Sequence, residues 1–204
     1  MYLPSHFEES RIDVLHALIA QHPLGALVTH GADGLGAEHI PFEVAPPTPE
    51  APFGILRAHV ARANPVWRRH GAPTLVLFQG PSAYVSPSLY EEKAISGKVV
   101  PTYNYALAHA HGTLRAVDDP AWLLDLLARL TGRHEAGQVA PWSVRDAPPE
   151  YIDKMLAALV GIEIVIDKLQ GKWKLSQNRS PQDRRNIAAH GAPAMADLMR
   201  ATLA

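Results

Sequence analysis

Tyr103-Asn104-Tyr105-Ala106-Leu107-Ala108-His109-Ala110-His111-Gly112-Thr113-Leu114-Arg115-Ala116-Val117 is the stretch that decides the fold class. Successive side chains of a strand point to opposite faces, and this run puts Tyr103, Tyr105, Leu107, His109 and His111 on one face. It predicts a long extended segment. Upstream, residues 74–79 read as a buried-type strand, Gly80-Pro81 as a turn, residues 83–86 as the start of another strand, and residues 87–98 as a polar loop. Residues 54–60 alternate again, with Ile55, Arg57 and His59 on one face and Leu56, Ala58 and Val60 on the other. Residues 24–30 and 35–42 flank Gly31-Ala32-Asp33-Gly34, which is hairpin chemistry.

Helical spacing appears at the margins and in the middle. Ile12, Leu15, Leu18 and Ile19 mark an amphipathic helix over residues 11–21, with Ser10 as its N-cap and Pro23 beyond its end. Asn64-Pro65-Val66-Trp67 reads as a turn entering a short helix. Helices are predicted over 120–130, 150–159, 181–190 and 193–203. Residues 161–169 form a last long strand, extended by Lys172-Trp173-Lys174-Leu175. Six to eight strands joined mostly by hairpins and loops, without regular β-α alternation, argue against a doubly wound parallel sheet. A mostly antiparallel barrel with peripheral helices fits, as one domain over residues 1–204 with N-terminal, mid-chain and C-terminal helices.

Composition narrows the function classes. The chain has 204 residues, 47% of them hydrophobic and 19% charged, a globular balance. It has no cysteine, which excludes disulfides, thiolate metal sites and a Cys nucleophile. No apolar run approaches the about 18 residues of a membrane span. The start, Met1-Tyr2-Leu3-Pro4-Ser5-His6-Phe7, lacks a signal-peptide pattern, so a cytoplasmic protein is expected. The net charge of −1 averages blocks of opposite sign. Residues 1–50 hold seven acids and one base, and residues 118–167 nine acids and four bases. Residues 51–117 and 168–204 each hold seven bases and two acids. If the fold joins the two basic blocks, they form a local site for an anion.

Motifs for other chemistries are weak. There is no P-loop or dinucleotide fingerprint, and no G-x-S-x-G elbow around Ser86 or Ser176. His109 and His111 share a face but have no matching third ligand, so no metal site is expected. Two stretches stand out. Lys172-Trp173-Lys174-Leu175-Ser176-Gln177-Asn178-Arg179-Ser180 joins the positive charges of Lys174 and Arg179 to neutral donors, a set that suits phosphate or a capped helix start. Val100-Pro101-Thr102-Tyr103-Asn104-Tyr105 sets aromatics beside short polar groups, which suits a planar heteroaromatic ligand or an aromatic cluster in the core.

In order and spacing the chain resembles the PaiB-type family of FMN-binding negative transcriptional regulators. The pieces are Met1-Tyr2-Leu3-Pro4 with His6-Phe7; His39-Ile40-Pro41-Phe42; His59-Val60-Ala61-Arg62-Ala63-Asn64-Pro65 with Trp67; and Phe78-Gln79-Gly80-Pro81 with Ala83-Tyr84-Val85-Ser86-Pro87. They continue through Tyr90 and Lys93, Val99-Val100-Pro101-Thr102-Tyr103-Asn104-Tyr105, His134-Glu135, Pro141-Trp142, and Gly171-Lys172-Trp173-Lys174-Leu175-Ser176-Gln177-Asn178-Arg179. Leu89 and Tyr103 stand where the pattern has Trp, and Trp173 where it has Phe.

The resemblance implies a split β-barrel of the pyridoxamine-phosphate-oxidase-like kind, a homodimer with FMN held non-covalently at the interface. The cofactor-binding residues it suggests are His39, Arg57, His59, Arg62, Asn64, Ser86, Lys93, Thr102, Tyr103, Asn104, Lys174, Ser176, Gln177, Asn178 and Arg179. Arg57, His59, Arg62 and the 174–179 segment are expected at the phosphate. Ser86, Thr102 and Asn104 are expected at the isoalloxazine edge, with Tyr103 or Tyr105 near its face. The family name implies a repressor, yet no helix-turn-helix is visible and the last helices, around Asn186 to Leu203, carry only Arg200 as a clear base. The expected function is regulatory or redox-sensing. FMN-dependent oxidoreductase activity and haem handling are the alternatives, because fold does not fix function.

Overall fold

The computed structural model describes residues 1–201. The chain runs through β1 (Glu8–Glu9), α1 (Ile12–Gln21), β2 (Leu24–Gly31), β3 (Gly34–Pro41), β4 (Glu43–Ala45), β5 (Ile55–Ala61) and β6 (Pro73–Val85). It continues through α2 (Glu92–Ile95), β7 (Thr102–Val117), α3 (Pro120–Glu135), α4 (Pro149–Ala157), β8 (Leu159–Lys174), α5 (Pro181–His190) and α6 (Pro193–Ala201). The last predicted helix was expected to reach Leu203, which lies outside the described residues. Among the described residues no helix is long and apolar enough to cross a membrane.

The strands form a sheet in the order β3-β2-β6-β7-β8-β5-β4, with β1 added to β8. β2 and β3 pair antiparallel from Leu24↔Pro41 to Gly31↔Gly34, the hairpin expected from the turn residues. Gly34 takes φ 93°, a conformation glycine adopts without steric penalty. β5 pairs antiparallel with β8 from Ile55↔Val165 to Ala61↔Leu159. β3 also comes against β5, so this part of the sheet curls on itself. The architecture is an antiparallel sheet with peripheral helices, the split-barrel class.

The residues cluster into two compact units. Among the described residues the first comprises 1–18, 79–108 and 170–201; the second comprises 19–78 and 109–169. β6, β7 and β8 each run from one into the other. In the first unit Leu15, Leu18, Val85, Ala106, Trp173, Leu175, Ile187 and Met199 are buried. In the second the core is Leu27, Phe42, Leu56, Val76, Phe78, Leu114, Ile162 and Ile164, with Leu123 and Leu126 of α3. Phe42 and Phe78 meet edge-on at 5.8 Å. Asp119 caps α3 by accepting from the amides of Ala121 and Trp122, and Arg129 ties that helix to Glu43 of β4 at 2.9 Å.

Three boundaries differ from the sequence reading. β6 is one strand through Gly80-Pro81 rather than two strands and a turn. Gly80 is there for room: a Cβ would lie 2.6 Å from Leu18 Cδ1 and 3.2 Å from the Ala106 carbonyl. β8 likewise runs unbroken through Gly171, where a Cβ would lie 2.2 Å from Leu15 Cδ2 and 2.7 Å from the Glu9 carbonyl. α3 continues past residue 130 to Glu135, because Gly132 costs only about 1 kcal/mol in a helix and does not end it.

Candidate functional site

In the first unit the end of β8 supplies a concentrated set of cations. Lys172 and Lys174 are two residues apart on a strand and so share a face. The Lys172 ammonium donates to the Tyr2 carbonyl at 3.0 Å and lies 5.5 Å from the centre of the Tyr2 ring and 5.6 Å from that of Tyr105. The Lys174 ammonium donates to Thr102 Oγ1 at 2.6 Å and to the Tyr103 carbonyl at 2.5 Å. It also lies 6.0 Å from the rings of Phe7 and Tyr105. The Arg179 guanidinium stands 4.4 Å over the Tyr90 ring. Among the described residues none of these three cations pairs with a carboxylate. Burial, and then repulsion from Lys172 and Arg179, hold the Lys174 pKa below its ordinary 10.5. A bound anion would reverse that repulsion, so this donor set fits a phosphate group.

The turn after β8 is built by its own polar side chains. Ser176 is buried with φ 61°, and its hydroxyl donates to Asn104 Oδ1 at 3.0 Å. Asn104, fully buried, donates in turn to Met199 Sδ at 3.5 Å. Gln177 accepts from the Leu175 amide at 2.7 Å and donates to the Trp173 carbonyl. Ser180 caps α5 by accepting from the Asp183 amide. Asn104, Ser176 and Gln177 thus hold the turn that presents Arg179 and the exposed Asn178. Ser86 caps the Pro87–Leu89 turn through the Ser88 amide, and Lys93 is exposed on α2. Tyr103 is 59% exposed and meets the exposed Tyr84 edge-on at 5.9 Å. Thr102 and Tyr103 are therefore brought to Lys174, whereas Lys172, Lys174 and Arg179 all come from the basic block 168–204 and Arg57 and Arg62 of the other block lie in the second unit on carboxylates of their own.

The remaining predicted residues lie in the second unit. His39 is exposed on β3. Arg57 pairs with the buried Glu163 at 3.1 Å, and Arg115 reaches the same carboxylate at 2.8 Å, so two guanidiniums share one acid. His59 has its Nδ1 buried without a hydrogen-bond partner, and burial pushes its pKa below the ordinary 6.5. Arg62 clamps the chain: it bonds both oxygens of Asp118 and the carbonyls of Ala157 and Leu159. Asn64 caps the Pro65–Arg69 turn by accepting from the Val66 amide at 2.9 Å. Sequence reasoning assigned no site role to Lys172, Tyr2 or Phe7. Period-two spacing from Lys174 gives Lys172, but no local pattern places Tyr2 and Phe7 against residues so far along the chain.

Comparison with known proteins agrees with this architecture. The family model described as "Putative FMN-binding domain" matches residues 1–168, which stops just short of Lys172. An uncharacterized protein of Emericella nidulans, AN0679, is 36% identical, with 92% of this chain and 88% of that protein covered. The protease synthase and sporulation protein PAI 2 of Bacillus subtilis is 29% identical, covering 92% and 87%. Among solved structures, the FAD and heme binding protein from Mycobacterium smegmatis superposes with a TM-score of 0.63 at 20% identity, covering 91% and 80%, a likeness of fold. The chain belongs to the "Putative FMN-binding domain" family, the PaiB-type family that its ordered motifs resemble.

Proposed function

We propose that the protein is a flavin-binding regulator or redox sensor, a homodimer that holds FMN through its phosphate at Lys172, Lys174 and Arg179. The observation that carries this reading is a cluster of three cations with aromatic neighbours and no carboxylate partner. FMN supplies redox chemistry when bound. The chain's own part is binding and orientation. Thr102 and the Tyr103 carbonyl fix the Lys174 ammonium and leave one N–H for a ligand. The Asn104–Ser176 bond fixes the turn that carries Arg179. The exposed Tyr103 and Tyr84 rings offer apolar area for a planar ring system.

The test is the visible spectrum of freshly purified protein, followed by FMN titration into Lys174→Ala and Arg179→Ala. Each substitution is expected to weaken binding by about 1.5–3 kcal/mol, the scale of a hydrogen bond to a charged group. Unchanged affinity in both would remove the segment from the site. Turnover of NAD(P)H with a small-molecule acceptor would place the protein among oxidoreductases instead.

A further inference from the structure

A cavity of about 540 Å³ opens between α3, the Val144–Asp146 turn and α4. It lies wholly in the second unit and shares no residue with the cation cluster above. Its α3 wall is Ala121, Leu124, Asp125 and Ala128, the i, i+3, i+4, i+7 set of one helix face. Its α4 wall presents Ile152 and Asp153. Leu123 and Leu126 bury the opposite side of α3 in the core, so this is a second apolar face, beyond what the fold itself consumes. The volume falls in the range of about 300–1,000 Å³ typical of small-molecule pockets.

Charge selects the ligand. Each helix wall carries one carboxylate, Asp125 on α3 and Asp153 on α4. The ion partner of Asp125 is Arg129, which also binds both oxygens of Glu43, so one guanidinium answers two acids. Asp153 has no ion pair among the described residues. Arg145 is the opposing charge, so the lining holds two acids and one base. The balance is negative over an apolar floor. We propose that this cavity binds an amphipathic organic cation, with an aromatic or branched apolar body and a single positive charge. An anion of the same shape meets the surplus carboxylate, and a compact hydrated cation gains nothing from the apolar walls.

Tetraphenylphosphonium and tetraphenylborate test this directly, since they share a shape and differ in sign. Calorimetric titration of the full chain is expected to show the phosphonium binding at least about tenfold tighter than the borate. Asp153→Asn should weaken the phosphonium about threefold or more, and Arg145→Ala, at an exposed side chain, should strengthen it by a similar factor, with both effects shrinking in high salt. Ala128→Trp puts an indole into the cavity from its α3 wall and should abolish binding while the far-ultraviolet circular dichroism stays unchanged. If that variant fails to fold, the opposite responses of the Asp153 and Arg145 variants decide. No phosphonium binding at millimolar concentration, equal affinity for the two ions, or indifference to both charge changes would overturn the assignment.

Discussion

Ser176 combines a left-handed backbone with a buried hydroxyl bond, and the two features have opposite consequences for substitution. Ser176→Ala keeps the conformational penalty and leaves Asn104 Oδ1 without its donor in a buried setting, a loss of about 1–3 kcal/mol. Ser176→Gly loses the same bond but relieves about 1–2 kcal/mol of backbone strain. Urea unfolding should therefore rank wild type, then the glycine variant, then alanine. Lys174 gives a second prediction at this scale. Its pKa is depressed in the free protein by burial and neighbouring cations, and a bound phosphate raises it again. Binding then takes up a proton at pH above the depressed value, so FMN affinity should fall as pH rises past it. Titration at several alkaline pH values should show the fall in wild type and its loss in Lys174→Gln.

At the scale of elements the strand glycines matter most. A Cβ at Gly112 would lie 2.2 Å from the Val165 carbonyl oxygen, a backbone atom of the neighbouring strand. Gly112→Ala is expected to destabilise by about 1–3 kcal/mol or more. Gly80→Ala meets chiefly the tip of Leu18, which can turn away, and should cost less; thermal denaturation of the pair checks the order. The same glycines explain what sequence reading could and could not see. Alternation in β5 and β7 was legible because one side chain in two is buried, as with Leu56, Ala58 and Val60 or Asn104, Ala106 and Ala108. The hairpin at Gly31–Gly34 was legible because the turn is local. Gly80-Pro81 read as a turn because both residues suit turns, while the reason for Gly80 is a helix side chain remote in sequence. The cation cluster was half legible: Lys174 and Arg179 stand in one dense segment, but the aromatic neighbours of Lys174 come from the first residues and from β7, and that of Arg179 is Tyr90, just ahead of α2. Which polar residues of that segment face a ligand and which hold the turn depended on Asn104, a partner no spacing rule connects to Ser176.

At the scale of the molecule, acid sensitivity should centre on the buried imidazoles. Burial lowers the pKa of His59 and of His109 below 6.5. The unfolded chain then binds more protons than the native one between the lowered values and 6.5, so stability falls as pH drops through that interval. His59→Gln should flatten the acid limb of a stability-versus-pH curve. Light scattering should give a mass near twice the 22.2 kDa chain if the homodimer reading holds. Because β6, β7 and β8 run through both units, calorimetry should record one unfolding transition, and two separated transitions would count against a single domain.

The discontinuous make-up of the two units also sets an order of assembly during synthesis. Every residue of the second unit has been polymerised once Leu169 is added, whereas the first still lacks everything from Gln170 onward. Lys172, Lys174 and Arg179 thus leave the ribosome only after the whole of the second unit. A nascent chain, or one cut short by a stop codon after Leu169, carries the whole of one unit and none of these three cations, so that capture of a phosphorylated cofactor there would report that translation had passed Arg179.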